Sequence, residues 1–249
     1  MTPASFNDAE LARDIAEEAG RLLLAIRAEG RETGKALGVR GDDEANALIL
    51  ARLAAARPDD AILSEEASDD RVRCACPRVW IVDPLDGTRE YSEGRDDWAV
   101  HVALAVDRVP LIGAVALPAQ GVTFDSDQHF ASIATPKRPR MVVSRSRPPE
   151  AAVKVAAALD AELIPMGSAG AKAMAVVDGR ADIYLHSGGQ YEWDNCAPAA
   201  VAIAAGLSAT RLDGSPLVYN CHDPMLPDLL ICRADLRDVV LEILARPPA

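Results

Sequence analysis

The 249-residue sequence predicts a mixed fold, with an α+β first half and an α/β second half. Two observations support this class. In the first half two amphipathic helices come before a run of apolar strands, whereas in the second half strands and helices alternate. The segment TPKRP at 135–139 is basic and contains two prolines, so we place a boundary there, which gives halves at 1–139 and 140–249.

The elements of the first half follow from the spacing of their apolar residues. Apolar side chains recur every three to four positions over 7–29 and 42–57, which predicts two helices. Short apolar runs bounded by polar or turn residues predict strands at 61–63, 79–82, 98–106 and 111–117, with two shorter ones within 121–132. The four residues between the two long strands predict a hairpin.

The second half alternates strands with helices along the chain. The expected order is strand 141–144, helix 149–159, strand 162–165, helix 169–178, strand 181–185, helix 195–206, strand 207–210, and a last strand and helix within 228–246. Such alternation is typical of a sheet that is covered by helices.

Composition and charge argue against several classes of protein. The net charge of -12 and a sequence pI of about 4.8 describe a surface that repels nucleic-acid polymers and anionic membranes. The five cysteines are scattered, which does not suggest a disulfide framework. The acidic N-terminal segment lacks the features of a signal peptide, and no run of about 18 apolar residues is present. We therefore expect a cytoplasmic enzyme without membrane or nucleic-acid partners. Whether it is a homodimer is left open.

Carboxylates gather where predicted strands end. Glu65 follows the first predicted strand, and the pair Asp83 and Asp86 follows the second. Asp194 comes just before the helix predicted at 195. Carboxylates in one place repel each other unless cations lie among them, and oxygen ligands of this kind suit Mg²⁺.

The segment DPLDGT, which begins at Asp83, joins metal chemistry to phosphate binding. We expect a turn that returns Asp86 to the same site, with the Leu85 carbonyl as a further ligand. Gly87 leaves room for close approach of the backbone, and a helical turn beginning near Thr88 would offer free N–H groups to an anion. One short segment would then hold metal ions and a phosphate.

Other titratable residues have simpler explanations. The pairs Asp59-Asp60 and Asp96-Asp97 lie in predicted loops, where acidic side chains are usually solvated. His101 stands in an apolar strand, and we expect it to be a buried sheet residue rather than a ligand. The carboxylates at the strand ends therefore stand out.

The combination of SEE, DPLDGT and EWDNCAP resembles the inositol monophosphatase superfamily of Mg²⁺-dependent, lithium-sensitive phosphatases. The resemblance extends over roughly residues 8–235. The stretch MGSAGAKAMAVVDGRADIYLHSGGQYEWDNCAP is similar to the CysQ branch of this superfamily, whose members are 3′(2′),5′-bisphosphate nucleotidases. The resemblance implies a layered α-β-α-β-α sandwich of the inositol monophosphatase and fructose-1,6-bisphosphatase type, with the active site between the two halves.

The resemblance also implies a set of metal ligands. These are Glu65, Asp83, the Leu85 carbonyl, Asp86 and Asp194, which would hold two or three Mg²⁺ ions. Asp42 matches an outer acidic residue of the family's site. The preceding residues Val39-Arg40-Gly41 depart from the threonine-containing approach usual in the family, so the third metal position is left open.

Catalytic and substrate-binding roles follow from the same resemblance. Glu65 and Thr88 would orient the attacking water, and Asp42 would support it from outside. The implied substrate contacts are Gly87, Thr88, Arg145, Ser168 and Lys172, and Arg89 is a further candidate because it follows the phosphate-binding segment. Lys172 would pair with the second phosphate of a nucleotide.

The leading interpretation is a Mg²⁺-dependent phosphatase. It would hydrolyse the 3′-phosphate of 3′-phosphoadenosine 5′-phosphate to AMP by a metal-activated water, and the sulfated form of this nucleotide is a further candidate substrate. One alternative is a phosphatase of the same fold acting on inositol 1-phosphate or fructose 1,6-bisphosphate. A protein that only binds divalent cations is the other alternative, and it would not explain Gly87 and Thr88.

Overall fold

The computed structural model describes residues 7–130 and 136–246. Within these residues the α-helices are α1 (Asp8–Glu29), α2 (Gly34–Ala56), α3 (Thr88–Ser92), α4 (Glu150–Leu159), α5 (Ala169–Val177), α6 (Glu192–Ala204) and α7 (Arg237–Ala245). The strands are β1 (Ala61–Ser64), β2 (Arg78–Asp86), β3 (Ala99–Val106), β4 (Val109–Leu117), β5 (Val122–Asp125), β6 (Arg140–Ser144), β7 (Glu162–Met166), β8 (Ile183–Tyr191), β9 (Ser208–Thr210) and β10 (Met225–Cys232).

The strands form two five-stranded sheets. The first has the order β1-β2-β3-β4-β5, in which β1 is parallel to β2 and the other neighbours are antiparallel. The second has the order β7-β6-β8-β10-β9, in which β6 is parallel to both of its neighbours and β10 is antiparallel to both of its own. The predicted hairpin between the two long strands β3 and β4 is confirmed.

Three apolar clusters hold the layers together. One joins α1 and α2 to the outer face of the first sheet, one fills the space between the sheets around α5 and α6, and one joins α4 and α7 to the outer face of the second sheet. The layers therefore follow the order α-β-α-β-α, and the expected fold class is confirmed.

The continuous apolar run in β2 is explained by its position between two layers. Trp80 and Val82 belong to the cluster with α1 and α2, whereas Val79 and Ile81 belong to the central cluster. Side chains alternate between the faces of a strand, so a strand buried on both faces is apolar at every position. The two carboxylates that follow this run are thus carried by one of the most buried strands of the fold.

Several predicted boundaries were wrong. Helix α2 begins at Gly34 rather than 42, and α6 begins at Glu192 rather than 195. Strand β2 continues through DPLD to Asp86, so the chain turns later than predicted. Of the two short strands predicted within 121–132, only β5 occurs in the part of the chain that is described, and 131–132 lie outside it.

Glycines with close packing explain the early start of α2. Gly38 and Gly41 lower helix propensity, which hides this helix in the sequence. A Cβ on Gly38 would overlap the side chain of Thr88, and one on Gly41 would lie 3.0 Å from Leu23. Tertiary packing therefore extends the helix against α1 and α3. The proposed boundary at 135–139 begins outside the described residues, and the division into halves stays a prediction.

Candidate active site

Three carboxylates converge where β2 ends and α6 begins. One oxygen each from Asp83, Asp86 and Asp194 lies within 4.8 Å of the others. Asp83 and Asp86 are buried, and Asp194 is half-buried. Asp194 lies in the first turn of α6 and accepts a hydrogen bond from the Tyr191 amide at 2.6 Å. Side chains from both halves of the sequence thus meet at one point.

A β-bulge brings the two aspartates of β2 to this point. Asp83 pairs with His101 of β3 and Asp86 pairs with Ala99, so three steps on one strand oppose two on the other. In a regular strand, residues three apart would face opposite sides, and the extra residue reverses that relation. The Leu85 amide donates to Asp83 Oδ1 at 3.0 Å, which fixes the bulge from inside.

Asp86 is held by the start of α5 and by a buried histidine. It accepts hydrogen bonds from the amides of Gly170 at 2.6 Å and Ala169 at 3.1 Å. His101 Nε2 lies 3.3 Å from Asp86 Oδ2, within ion-pair range but outside hydrogen-bonding geometry. Burial alone would raise the pKa of Asp86, but His101, the Gly170 amide and Lys172 together lower it.

The other carboxylates of the site have raised pKa values. Burial, followed by repulsion from neighbouring carboxylates, raises the pKa of Asp83 well above its usual range and that of Asp194 to about 6. The pKa of Glu65 rises to about 7 and that of Asp42 to about 8 for the same reasons. The site therefore carries more negative charge than its own residues neutralise.

Glu65 lies at the end of β1, beside β2. Its amide donates to the Val82 carbonyl at 3.3 Å, which continues the parallel pairing of the two strands. The preceding Ser64 hydroxyl donates to Asn46 of α2 at 2.7 Å. Much of the Glu65 side chain is exposed to solvent. Protein atoms nevertheless surround its carboxylate, and the resulting loss of solvation is the largest cause of its raised pKa. A solvent-accessible carboxylate thus lies at the rim of the buried cluster.

Thr88 connects α3 to α2 and to the bulge. Its hydroxyl lies 3.3 Å from Asp42 Oδ2 and 3.2 Å from the Leu85 carbonyl. Gly87, with φ of 89°, has the left-handed conformation that allows the chain to leave β2 and start α3. A cavity of about 410 Å³ opens beside Thr88 between α3 and the first turns of α2.

The residues expected to contact substrate fall into two groups. Gly87 and Ser168 meet directly, because a Cβ on Gly87 would lie 2.9 Å from the Ser168 Cβ. Arg145 forms ion pairs of 2.7 Å with Glu90, in α3, and with Glu93, directly after that helix. Arg89, which is 64% exposed, pairs with Glu93 at 2.8 Å.

Lys172 is turned into the protein. Its side chain is buried, and its Nζ donates to the carbonyls of Gly167 and Ser168, the latter at 2.7 Å. The ammonium also lies 5.4 Å from the centre of the Tyr184 ring, a cation–π distance. Burial lowers the pKa of Lys172, and nearby carboxylates such as Asp86 act against this. The structure thus uses Lys172 to hold the segment before α5.

Sequence reasoning missed other residues that build the site. His101 is a fully buried sheet residue, as predicted, but its Nδ1 lies 3.0 Å from the Trp193 carbonyl, so one imidazole contacts the surroundings of both Asp86 and Asp194. A lone polar residue in the apolar run of β3 was the available signal. Asp97 was expected to be solvated, and this was wrong, since it accepts from the Gly167 amide at 2.6 Å.

The donor set fits a hard divalent cation. All the converging side-chain ligand atoms are carboxylate oxygens, the kind that Mg²⁺ prefers, and their excess negative charge requires a partner.

None of the helices in the described residues is long and apolar enough to cross a membrane.

Comparison with known proteins decides the family. The model of the inositol monophosphatase family matches residues 7–237. The chain belongs to the inositol monophosphatase family. This family is metal-dependent, in agreement with the carboxylate cluster.

Similar proteins within the family include nucleotide phosphatases. The chain is 53% identical to a 3′-phosphoadenosine 5′-phosphate phosphatase of Mycobacterium leprae, over 97% of this chain and 94% of the relative. It is 29% identical to the 3′(2′),5′-bisphosphate nucleotidase CysQ of Escherichia coli, over 74% of this chain and 80% of the relative. The crystal structure of CysQ from Bacteroides thetaiotaomicron superposes with a TM-score of 0.78 at 27% identity and covers 91% of this chain and 97% of that one.

Proposed function

We propose that this protein is a phosphatase that removes the 3′-phosphate of 3′-phosphoadenosine 5′-phosphate and releases AMP. The observation that carries the proposal is the 53% identity, over nearly the whole chain, to a relative named for this activity. The carboxylate cluster at the end of β2 supports it, because phosphate ester hydrolysis requires strong stabilisation of charge.

The metal in this proposal is Mg²⁺, in two or three ions. Asp83, Asp86 and Asp194 would hold it with their converging oxygens. Glu65 and the Leu85 carbonyl would add further oxygen ligands from the end of β1 and from the bulge. When bound, Mg²⁺ would supply an acidified water and would neutralise charge on the phosphate and the leaving oxygen.

The chain's own groups would then position the reactants. Glu65 would accept a hydrogen bond from the attacking water, and the Thr88 hydroxyl would orient the same water. Asp42, 3.3 Å from that hydroxyl, would fix its direction. The amides that start α3, beginning at Thr88, would donate to the phosphate oxygens, with Gly87 leaving room for their approach.

The nucleotide would lie along the surface between α3 and the start of α5. Ser168, at contact distance from Gly87, would lie next to the phosphate. Arg145 and Arg89 would supply positive charge on the α3 side, where ion pairs with Glu93 hold both side chains in place. Lys172 would act mainly by shaping the Gly167–Ser168 segment, because its ammonium is already bonded to both carbonyls.

A substrate panel tests the proposed specificity. Phosphate release with Mg²⁺ would be measured from 3′-phosphoadenosine 5′-phosphate, its sulfated form, inositol 1-phosphate and fructose 1,6-bisphosphate, each with and without Li⁺. We expect the highest kcat/KM on the nucleotides. An equal or higher value on either sugar phosphate would contradict the assignment while leaving the metal chemistry intact.

A matched pair of variants tests the carboxylate cluster. Asp83→Asn should lower turnover by about a thousandfold or more, as expected for a group that acts only with its neighbours. Its melting temperature in EDTA should not fall, since the change relieves repulsion in the metal-free site. Asp238→Asn, at a side chain 86% exposed, serves as the control and should keep full activity. An active Asp83→Asn enzyme would refute the metal assignment.

A further inference from the structure

Three of the five cysteines lie together on a surface outside the carboxylate cluster. Cys74 and Cys76 belong to, or directly follow, the short helical turn Val72–Ala75, and Cys221 lies in the loop before β10. Cys74 is exposed and the other two are half-buried. The remaining cysteines are fully buried, and burial raises the pKa of Cys196 well above its usual range and that of Cys232 to about 12.

Cys74 and Cys221 lie next to each other. Cys74 Sγ lies 3.9 Å from the carbonyl oxygen of Cys221. Covalent geometry then places the Cα of Cys221 within about 6 Å of that sulfur, so a disulfide between the two residues requires rotation of the side chains and a shift of the turn that carries Cys74. Cys221 Sγ now faces the Val218 carbonyl at 3.5 Å and Arg108 Nη2 at 3.2 Å, and a change of its χ1 rotamer would redirect it.

The two segments that carry these cysteines are already fixed against each other. The Asn220 side chain donates to the carbonyls of Arg73 at 3.0 Å and Cys76 at 3.2 Å, and it accepts from Arg73 Nη1 at 2.9 Å. Asn220 itself has a positive φ of 55°, in the left-handed region that asparagine adopts more readily than most residues. Because folding already holds the two segments together, joining the two thiols loses little further chain entropy.

This surface is coupled to the carboxylate cluster. The fully buried Glu192 accepts hydrogen bonds from the amides of Asn220 and Cys221, both at 2.7 Å. Glu192 is the first residue of α6, two positions before Asp194. On the other segment, Cys74 follows Glu65 by nine residues. A movement of Cys221 therefore acts on the turn that carries Asp194.

We propose that Cys74 and Cys221 are an oxidation-sensitive pair whose disulfide lowers turnover at the carboxylate cluster. The oxidant is a peroxide. The exposed Cys74 sulfur attacks one peroxide oxygen, the O–O bond breaks, and a sulfenic acid and water are formed. The Cys221 sulfur then attacks the sulfenic sulfur, the S–O bond breaks, and a disulfide and a second water result. Two thiols are oxidised and one hydrogen peroxide is reduced.

Peptide mapping and turnover test the pair together. The full-length reduced protein would be treated with hydrogen peroxide, alkylated and digested, and the linked peptides would be identified by mass. We expect a Cys74–Cys221 link, a loss of two of the five free thiols, and a fall in phosphate release of about tenfold, because small displacements of catalytic groups are costly. Dithiothreitol should restore the rate.

Single variants separate this pair from other thiol chemistry. Cys74→Ser and Cys221→Ser should each keep their rate after peroxide, whereas Cys76→Ser should be inactivated like the wild type. The absence of the linked peptide, or a linked protein with an unchanged rate, would overturn the proposal. The activity measurement rests on the proposed function, but the peptide map does not. A reduced protein without activity on 3′-phosphoadenosine 5′-phosphate would therefore count against that function, and the map would still decide the link.

Discussion

Gly170 offers a sharp test of how the site is assembled. It lies in the first turn of α5, and its amide donates to Asp86 Oδ2 at 2.6 Å. A Cβ at this position would overlap the imidazole of His101 and would lie 2.9 Å from the Ala99 Cβ and 3.1 Å from Asp86 Oδ2. All of these neighbours are buried, so Gly170→Ala would force one side of this contact to move.

The size of the effect follows from these distances. Carbon atoms in contact are normally about 3.5 Å or more apart, and the overlap with two elements requires a displacement of about 1 Å. Overpacking of this kind lowers the unfolding free energy by about 1–3 kcal/mol. For a chain of this size, each kcal/mol lowers the melting temperature by about 2–4 °C. Because the displaced group is Asp86 or its amide donor, we expect turnover to fall on the order of 100-fold.

Gly20→Ala provides a matched control. A Cβ on Gly20, in α1, would meet the Pro118 side chain at 2.6 and 3.1 Å, a clash between two segments that carry no residue of the carboxylate cluster. Both variants should melt at lower temperature, measured by thermal unfolding, and only Gly170→Ala should lose phosphate release at a temperature where both are folded. Equal losses of activity in the two variants would refute the reasoning, because destabilisation alone would then explain them.

Three further changes have definite expected results. The raised pKa values of Glu65, about 7, and Asp42, about 8, mean that the folded protein binds protons more tightly than the unfolded chain. In EDTA the free energy of unfolding should therefore fall as the pH rises from about 5 to 8. Urea titrations at pH 5 and pH 8 check the sign, and a higher free energy of unfolding at pH 8 would contradict it. Glu192→Gln should lower the unfolding free energy by about 1–3 kcal/mol. The two carboxylate oxygens each accept one backbone N–H, and glutamine replaces one of these oxygens by an NH₂ group that cannot accept. An unchanged urea midpoint would contradict this prediction. Asp60→Ala should lower the melting temperature by several degrees through loss of its bonds to Arg78 and to the Trp80 indole, both 2.9 Å, and an Asp59→Ala protein is the control.

The candidate site was predictable where chemistry is written into adjacent residues. DPLDGT places Asp83, Asp86 and Thr88 within six positions, and the carboxylates that follow β1 and open α6 stand out from the surrounding apolar pattern. Solvated loop acids were harder to separate from structural ones. Asp60 and Asp97 lie in similar polar stretches of the sequence, yet both bind partly buried groups that come from segments 18 and 70 residues away.

The sequence by itself determined the order of nearly all helices and strands, the metal-binding character and the family. Those features depend on local periodicity and on short motifs, which can be recognised in the sequence alone. Only the tertiary structure decided that a bulge aligns Asp83 with Asp86, that His101 lies beneath them, and that Lys172 turns inward. The physical reason is that these arrangements arise where sheets and helices distant in sequence are packed together, and packing selects geometries that no local pattern specifies.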